Sequence, residues 1–147
     1  MTLTLEQKEL VRSTWAMVAP ISEDAARLFY NRLFEVDPST MALFNHTNMA
    51  EQGKKLMQMI QVVVASLDNL ERVRTAVEHL GRRHVEYGVK EEHYDSVGTA
   101  LLWTLEQGLG EQFTAEAKEA WSETYGLLAT IMKDAAHGPD RRPQRAA

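Results

Sequence analysis

Apolar residues recur at steps of three and four along almost the whole chain, the period of a helix with one face turned to a core. Thr4-Leu-Glu-Gln7 has the form of a capping box and opens a helix whose inner face carries Leu10, Val11, Trp15 and Val18, with Pro20 ending it. Ser22, followed by two acids, starts a second helix with Ala25, Leu28, Phe29, Leu33 and Phe34 inward. Asp37-Pro38-Ser39 caps a short turn leading to Leu43 and Phe44, and 45–48 is a polar loop. The next helix runs to about Leu67 on Leu56, Met59, Ile60 and Val63. A stripe over Val97, Leu101, Leu105 and Leu109 marks another helix, closed by Gly108 and Gly110 and preceded by a loop through His93 and Tyr94. Thr114 caps the last, with Ala117, Trp121, Tyr125, Leu128 and Met132 inward. No run of alternating residues demands a sheet, so the expectation is an all-α domain over 1–137 with seven or so helices, and a disordered tail over 138–147.

Between Asp68 and Gly88 lies the most telling stripe: Val73, Val77, Leu80 and then His84 fall on one helical face. An imidazole aimed where core side chains point needs a partner, because an unpaired buried polar group costs roughly 1–3 kcal/mol. That partner is either a hydrogen-bonding group or a metal. His79, five residues back, lies about 140° away around the helix and off the stripe. His46, His93 and His137 fall in loops or the tail and are expected to be solvated.

Composition narrows the chemistry. The 147 residues, 44% hydrophobic and 25% charged, suit one globular domain with a real core. A net charge of −5 gives no reason to expect nucleic acid or an anionic membrane as partner. The absence of cysteine excludes disulfides, thiol nucleophiles, iron–sulfur clusters and Cys-ligated zinc. The N-terminus has no signal-peptide pattern, and no apolar run approaches the ~18–20 residues of a membrane span. A cytoplasmic protein, without nucleic acid or membrane partner, is the expectation. No large apolar stripe is left over on the exposed faces, which points to a monomer.

Short helices turning corners suit crossed packing around a central pocket better than an up-and-down bundle. An ordered set of residues then carries a family likeness: Trp15, Tyr30 within Leu28 to Phe34, Pro38, Phe44 and Gln52. His84 in Gly81-Arg-Arg-His follows, with Tyr94 and the run from Ala120 to Gly126. From Leu3 to about Asp134 the chain resembles the bacterial single-domain globins and the globin domain of flavohaemoglobins.

The resemblance implies a globin fold and haem b, iron protoporphyrin IX, as cofactor. His84 corresponds to the proximal histidine that binds the iron. Phe44 corresponds to the phenylalanine that packs on the porphyrin. Tyr30 and Gln52 correspond to the distal pair, a phenol and an amide donor suited to a ligand that gains negative charge. Leu56, one turn after Gln52, would close the distal pocket, and Lys55 beside its mouth could pair with a haem propionate. Tyr94 corresponds to a tyrosine that, with a glutamate on the last helix, orients the proximal histidine and strengthens it as a ligand. Here the sequence departs from the family. Eleven residues on from Tyr125, where that glutamate falls, stands Ala136, and the nearest acid, Asp134, is more than half a helical turn away.

The expected function is reversible binding of O2, with NO and CO as further ligands. The enzymatic alternative is a nitric oxide dioxygenase, joining NO and O2 to give nitrate, in which Tyr30 and Gln52 would be the catalytic pair. The chain has no Gly-rich phosphate loop and no strand–helix alternation to hold flavin or nicotinamide, so a separate reductase is the expected partner. A haem-free sensor built on the same scaffold would lack the ligand that His84 supplies. Without a distal histidine or arginine, peroxidase chemistry is not the expected main role.

Overall fold

The computed structural model describes residues 3–141, with side chains described through 136. Its six α-helices are α1 (Leu5–Val18), α2 (Ser22–Val36), α3 (Met49–Ala65), α4 (Glu71–Glu86), α5 (Glu91–Leu109) and α6 (Ala115–Arg141). Three 3-10 turns connect them, at Ala19–Ile21, Pro38–Phe44 and Gly110–Gln112, and no strand occurs among the described residues. No helix of the described residues is long and apolar enough to cross a membrane.

The capping signals at Thr4, Asp37, Asn48 and Thr114 do what their chemistry requires, whereas Ser22 is already inside α2 and its side chain makes no cap. Thr4 Oγ1 accepts from the Gln7 backbone N–H at 3.0 Å while Gln7 Oε1 accepts from the Thr4 N–H at 2.9 Å, completing the capping box. Asp37 caps the Pro38 turn, Asn48 caps α3, and Thr114 Oγ1 accepts from the Ala117 N–H at 3.1 Å at the head of α6. Pro20 falls inside the 3-10 turn after α1.

Three expectations need correction. α5 begins at Glu91, so His93 and Tyr94 sit in its first turn rather than in a loop. His93 is buried, only 6% exposed, and not solvated. Leu28 lies on the outer face of α2, which buries Ala25, Ala26, Phe29, Tyr30 and Leu33 instead. The backbone of α6 stays helical through Arg141, beyond Gly138; the rest of the expected tail, 142–147, lies outside the described residues, as does the side chain of His137.

The core is closed by α1 against α6, where the Trp15 and Trp121 rings meet at 6.2 Å. Trp121 Nε1 donates to Thr14 Oγ1 at 2.8 Å and Trp15 Nε1 to Gln61 Oε1 at 2.7 Å, so both indoles are buried with their donors satisfied. α2 packs on α5 and α3, and α4 packs almost wholly on α6. Two glycines set how close those pairs come. A methyl group at Gly53 would meet Ala26 Cβ at 2.9 Å, and one at Gly81 would meet the Met132 carbonyl oxygen at 2.5 Å. The first brings α3 onto α2 beside Gln52; the second seats α4 on the backbone of α6, one turn before His84.

Candidate functional site

His84 completes the α4 stripe, with Val77 buried and Val73, Leu80 and His84 itself half-buried. Its Nδ1 is buried and has no hydrogen-bond partner. The Leu80 carbonyl, one turn back, favours a proton on the ring. Burial pulls the imidazole's proton affinity below the ordinary histidine value; the Leu80 carbonyl raises it partway and the Arg83 charge lowers it again. The ring is therefore biased toward its neutral form, the state able to ligate a metal. His79 is exposed, as its angular position requires.

Tyr94 comes from the first turn of α5 and stacks on His84, ring centroids 6.3 Å apart at 23°, without a hydrogen bond between them. Tyr87, past the end of α4, lies at 6.2 Å from the imidazole. On α6, Asp134 is exposed and Ala136 half-buried, while the Lys133 ammonium lies over the Tyr94 ring, 5.5 Å from its centroid. Where the family pattern places an acid behind Tyr94, this chain has Ala136, and the charged group that reaches Tyr94 from α6 is the Lys133 ammonium.

Two residues that support this corner were not singled out from sequence. Tyr125 Oη donates to the Tyr94 carbonyl at 2.6 Å, and its ring lies against Gly98. Burial, helped by the nearby Tyr94 and Asp95, pushes the Tyr125 phenol far above the ordinary range, so it stays a donor. His93 Nδ1 accepts from the Lys90 backbone N–H at 2.9 Å, which places the ring proton on Nε2. That Nε2 lies 3.3 Å from Ser39 Oγ, which itself donates to Asp37 Oδ1 at 2.6 Å, while Ser96 Oγ donates to Asp37 Oδ2 at 2.9 Å. The Ser39 hydroxyl, then that of Ser96, hold the Asp37 carboxyl below the usual carboxylate range. A hydrogen-bonding side chain three residues into a helix is the capping-box position, and that was the available signal for His93.

On α2 and α3 the structure brings Tyr30 and Gln52 together. Tyr30 is buried, and its Oη accepts from Gln52 Nε2 at 3.2 Å. Burial raises the phenol's pKa and outweighs the opposing bond from Gln52, so Tyr30 keeps its proton. Phe44, at the end of the Pro38 turn, meets Tyr30 edge-on at 5.3 Å and Phe34 at 5.9 Å. Leu56 is half-buried and packs against the core one turn beyond Gln52. Lys55 is exposed and pairs with no carboxylate among the described residues. No hydrogen bond or ring contact joins the Tyr30–Gln52–Phe44 group to the His84–Tyr94 group among the described residues.

A cleft of about 950 Å³ lies between α1, α2 and α3, lined by Trp15, Ala26, Tyr30, Phe34, Gly53 and Met57 among others. His84, Gln52, Phe44 and Leu56 do not line it, so the chemistry is located by the side chains and not by this cleft. Among the described residues no three His, Asp or Glu side chains gather to hold a bare metal ion.

Crossed helices carrying one unpartnered imidazole, with a buried phenol–amide pair on two others, define a helical protein of the globin class. A globin family model matches residues 27–132, and the chain belongs to the globin family. It is 36% identical over 128 residues to a flavohemoprotein of Xylella fastidiosa, covering 85% of this chain and 32% of that protein. It thus spans about a third of the flavohemoproteins it matches. A neuroglobin of Tetraodon nigroviridis is 30% identical over 154 residues, covering 95% of this chain and 97% of that one. Among solved structures, a bacterial globin from Campylobacter jejuni superposes with a TM-score of 0.84 at 29% identity, covering 95% of this chain and all of that chain. Membership of the family implies haem binding and a gaseous ligand such as O2.

Proposed function

We propose that this chain binds haem b through His84 and holds O2 reversibly, with Tyr30 as the hydrogen-bond donor to the ligand and Gln52 positioning it. The observation that carries the reading is the His84 imidazole: its charged form is disfavoured by burial and its buried Nδ1 makes no hydrogen bond, on a helix seated by Gly81 against α6. A single histidine cannot hold a bare metal ion, but it fits a metal whose other ligands come from a macrocycle. The residues present therefore fit haem. When bound, haem supplies an iron that takes up O2 and releases it.

The chain's own residues supply the rest. Ligation through Nε2 would leave the proton on Nδ1, and the Leu80 carbonyl one turn back is the group that favours a proton on the ring. Because Tyr30 Oη already accepts from Gln52, its own proton is free to point elsewhere, and the phenol stays protonated. Phe44 and Leu56 supply apolar walls and exclude water. Lys55 is free to meet a propionate, a surface pair worth ~0–1 kcal/mol.

The likeness to flavohemoproteins favours a second reading, nitric oxide dioxygenation with electrons from a separate reductase. NO consumption by the oxygenated protein under steady reduction separates the two. Reversible binding gives at most one stoichiometric reaction with NO, whereas sustained turnover makes the chain an enzyme. For the ligand itself, His84→Ala abolishes the Soret band of the ligated iron and His79→Ala leaves it intact. Equal behaviour of the two variants overturns the assignment.

A further inference from the structure

Cationic side chains flank His84 in the chain and reach its neighbour Tyr94. Arg83 adjoins it in the chain and disfavours a positive charge on the ring. Arg82 Nη1 is buried without an acceptor. From the opposite helix, Lys133 reaches over the Tyr94 ring, and that ring stacks on the imidazole. Three helices, α4, α5 and α6, thus contribute an imidazole, an aromatic plate and an ammonium to one corner. Tyr125, bonded to the Tyr94 carbonyl, fixes the plate from the α6 side.

Asp134 and Asp95 are exposed, and neither bonds to Tyr94 or His84 among the described residues. Glu78, on α4, is engaged by Arg74 at 3.4 Å. Lys133 is half-buried and forms no ion pair among the described residues. Its charge is thus only partly open to the screening of bulk water.

We propose that Lys133 is a positioning residue for the redox balance of the site: held over Tyr94, it places a fixed positive charge on the proximal side of an iron bound by His84 and raises its reduction potential. The physical reason is simple. Oxidation adds a positive charge at the metal, and a cation held nearby opposes that step while leaving the reduced state less affected. The reduced state is the one that takes O2, so Lys133 favours the binding-competent form. This inference rests on the haem reading above.

The experiment is a spectroelectrochemical titration of the full-length, haem-loaded protein and of Lys133→Arg, Lys133→Met and Lys133→Glu. The midpoint potential is expected to fall for Met, to fall further for Glu, and to stay near native for Arg, with the reduced Soret band unchanged throughout. A purely packing role for the side chain would not order the variants by charge. Met and Glu potentials equal to the native value overturn the inference while leaving the haem reading intact. If Lys133→Glu does not fold, the Met and Arg pair decides alone. A native chain that takes up no haem, or holds it without His84, removes the haem reading and this inference with it.

Discussion

Gln52 donates its amide N–H to the Tyr30 hydroxyl across two helices, at 3.2 Å. The tyrosine is thereby the acceptor in this pair, and its proton remains available to a third group. The two residues are unequal: Tyr30 would touch the ligand, and Gln52 would act by aiming it.

The consequence is a ranked effect on ligand escape. If Tyr30 holds the ligand as proposed, Tyr30→Phe removes a hydrogen bond to a charged acceptor, worth roughly 1.5–3 kcal/mol, and O2 dissociation should accelerate about ten- to a hundredfold. Gln52→Leu should accelerate it by less. Stopped-flow displacement of O2 measures both, and an unchanged rate in Tyr30→Phe would mean that the phenol points away from the ligand.

His93 offers a test of the corner that carries Tyr94. His93→Ala orphans the Lys90 N–H and frees Ser39, and should cost about 1 kcal/mol, the ordinary value of a lost cap. His93→Gln retains an acceptor at the same helical position and should recover part of the loss. Urea midpoints of the two variants make the comparison; native-like midpoints for both would show that the contacts contribute nothing.

The approach of α4 to α6 is set by Gly81, where an added methyl meets backbone that cannot rotate away. Gly81→Ala should therefore destabilise the protein by about 1–3 kcal/mol, the usual range for overpacking. Gly126→Ala, on α6 with nothing within 4 Å of the new methyl, should be neutral or mildly stabilising. Equal stabilities would mean that α4 slides freely on α6.

Alkaline pH should unfold the chain through its buried phenols. Burial raises the pKa of Tyr30, Tyr94 and Tyr125 in the folded state. Above the ordinary tyrosine value of about 10 the unfolded chain loses these protons first, so it binds fewer protons than the native state and stability falls as pH rises. Below that value the contribution is fully present. Denaturant midpoints measured on either side of pH ~10 should drop with a slope that Tyr125→Phe reduces; an identical slope in that variant would show that Tyr125 does not ionise on unfolding.

The helices and the His84 stripe were legible because period and capping are local: Thr4 and Gln7, or Val73 and His84, signal within one or two turns. Pairings across the fold were not. Tyr30 and Gln52 are recognisable as a pair only through the family resemblance, and neither shows from sequence which donates to which. His93 was misread because His-Tyr follows a glycine-containing break, whereas the Lys90 cap lets the helix begin earlier. Leu28 was placed inward by its type, although its angle on α2 turns it outward. Lys133 gave no signal at all, since a lysine on a helix ordinarily points to water.

The contact between Ser39 and His93 spans 54 residues of chain, and α3 and α4 lie wholly within that span. Gln52, Leu56 and His84 are therefore carried on one loop whose two ends are fastened together at a serine and a histidine. Such a clasp limits how far the loop can breathe, and hydrogen exchange in α3 and α4 would rise together when it is cut. The two helices that carry the candidate site residues share one fastening.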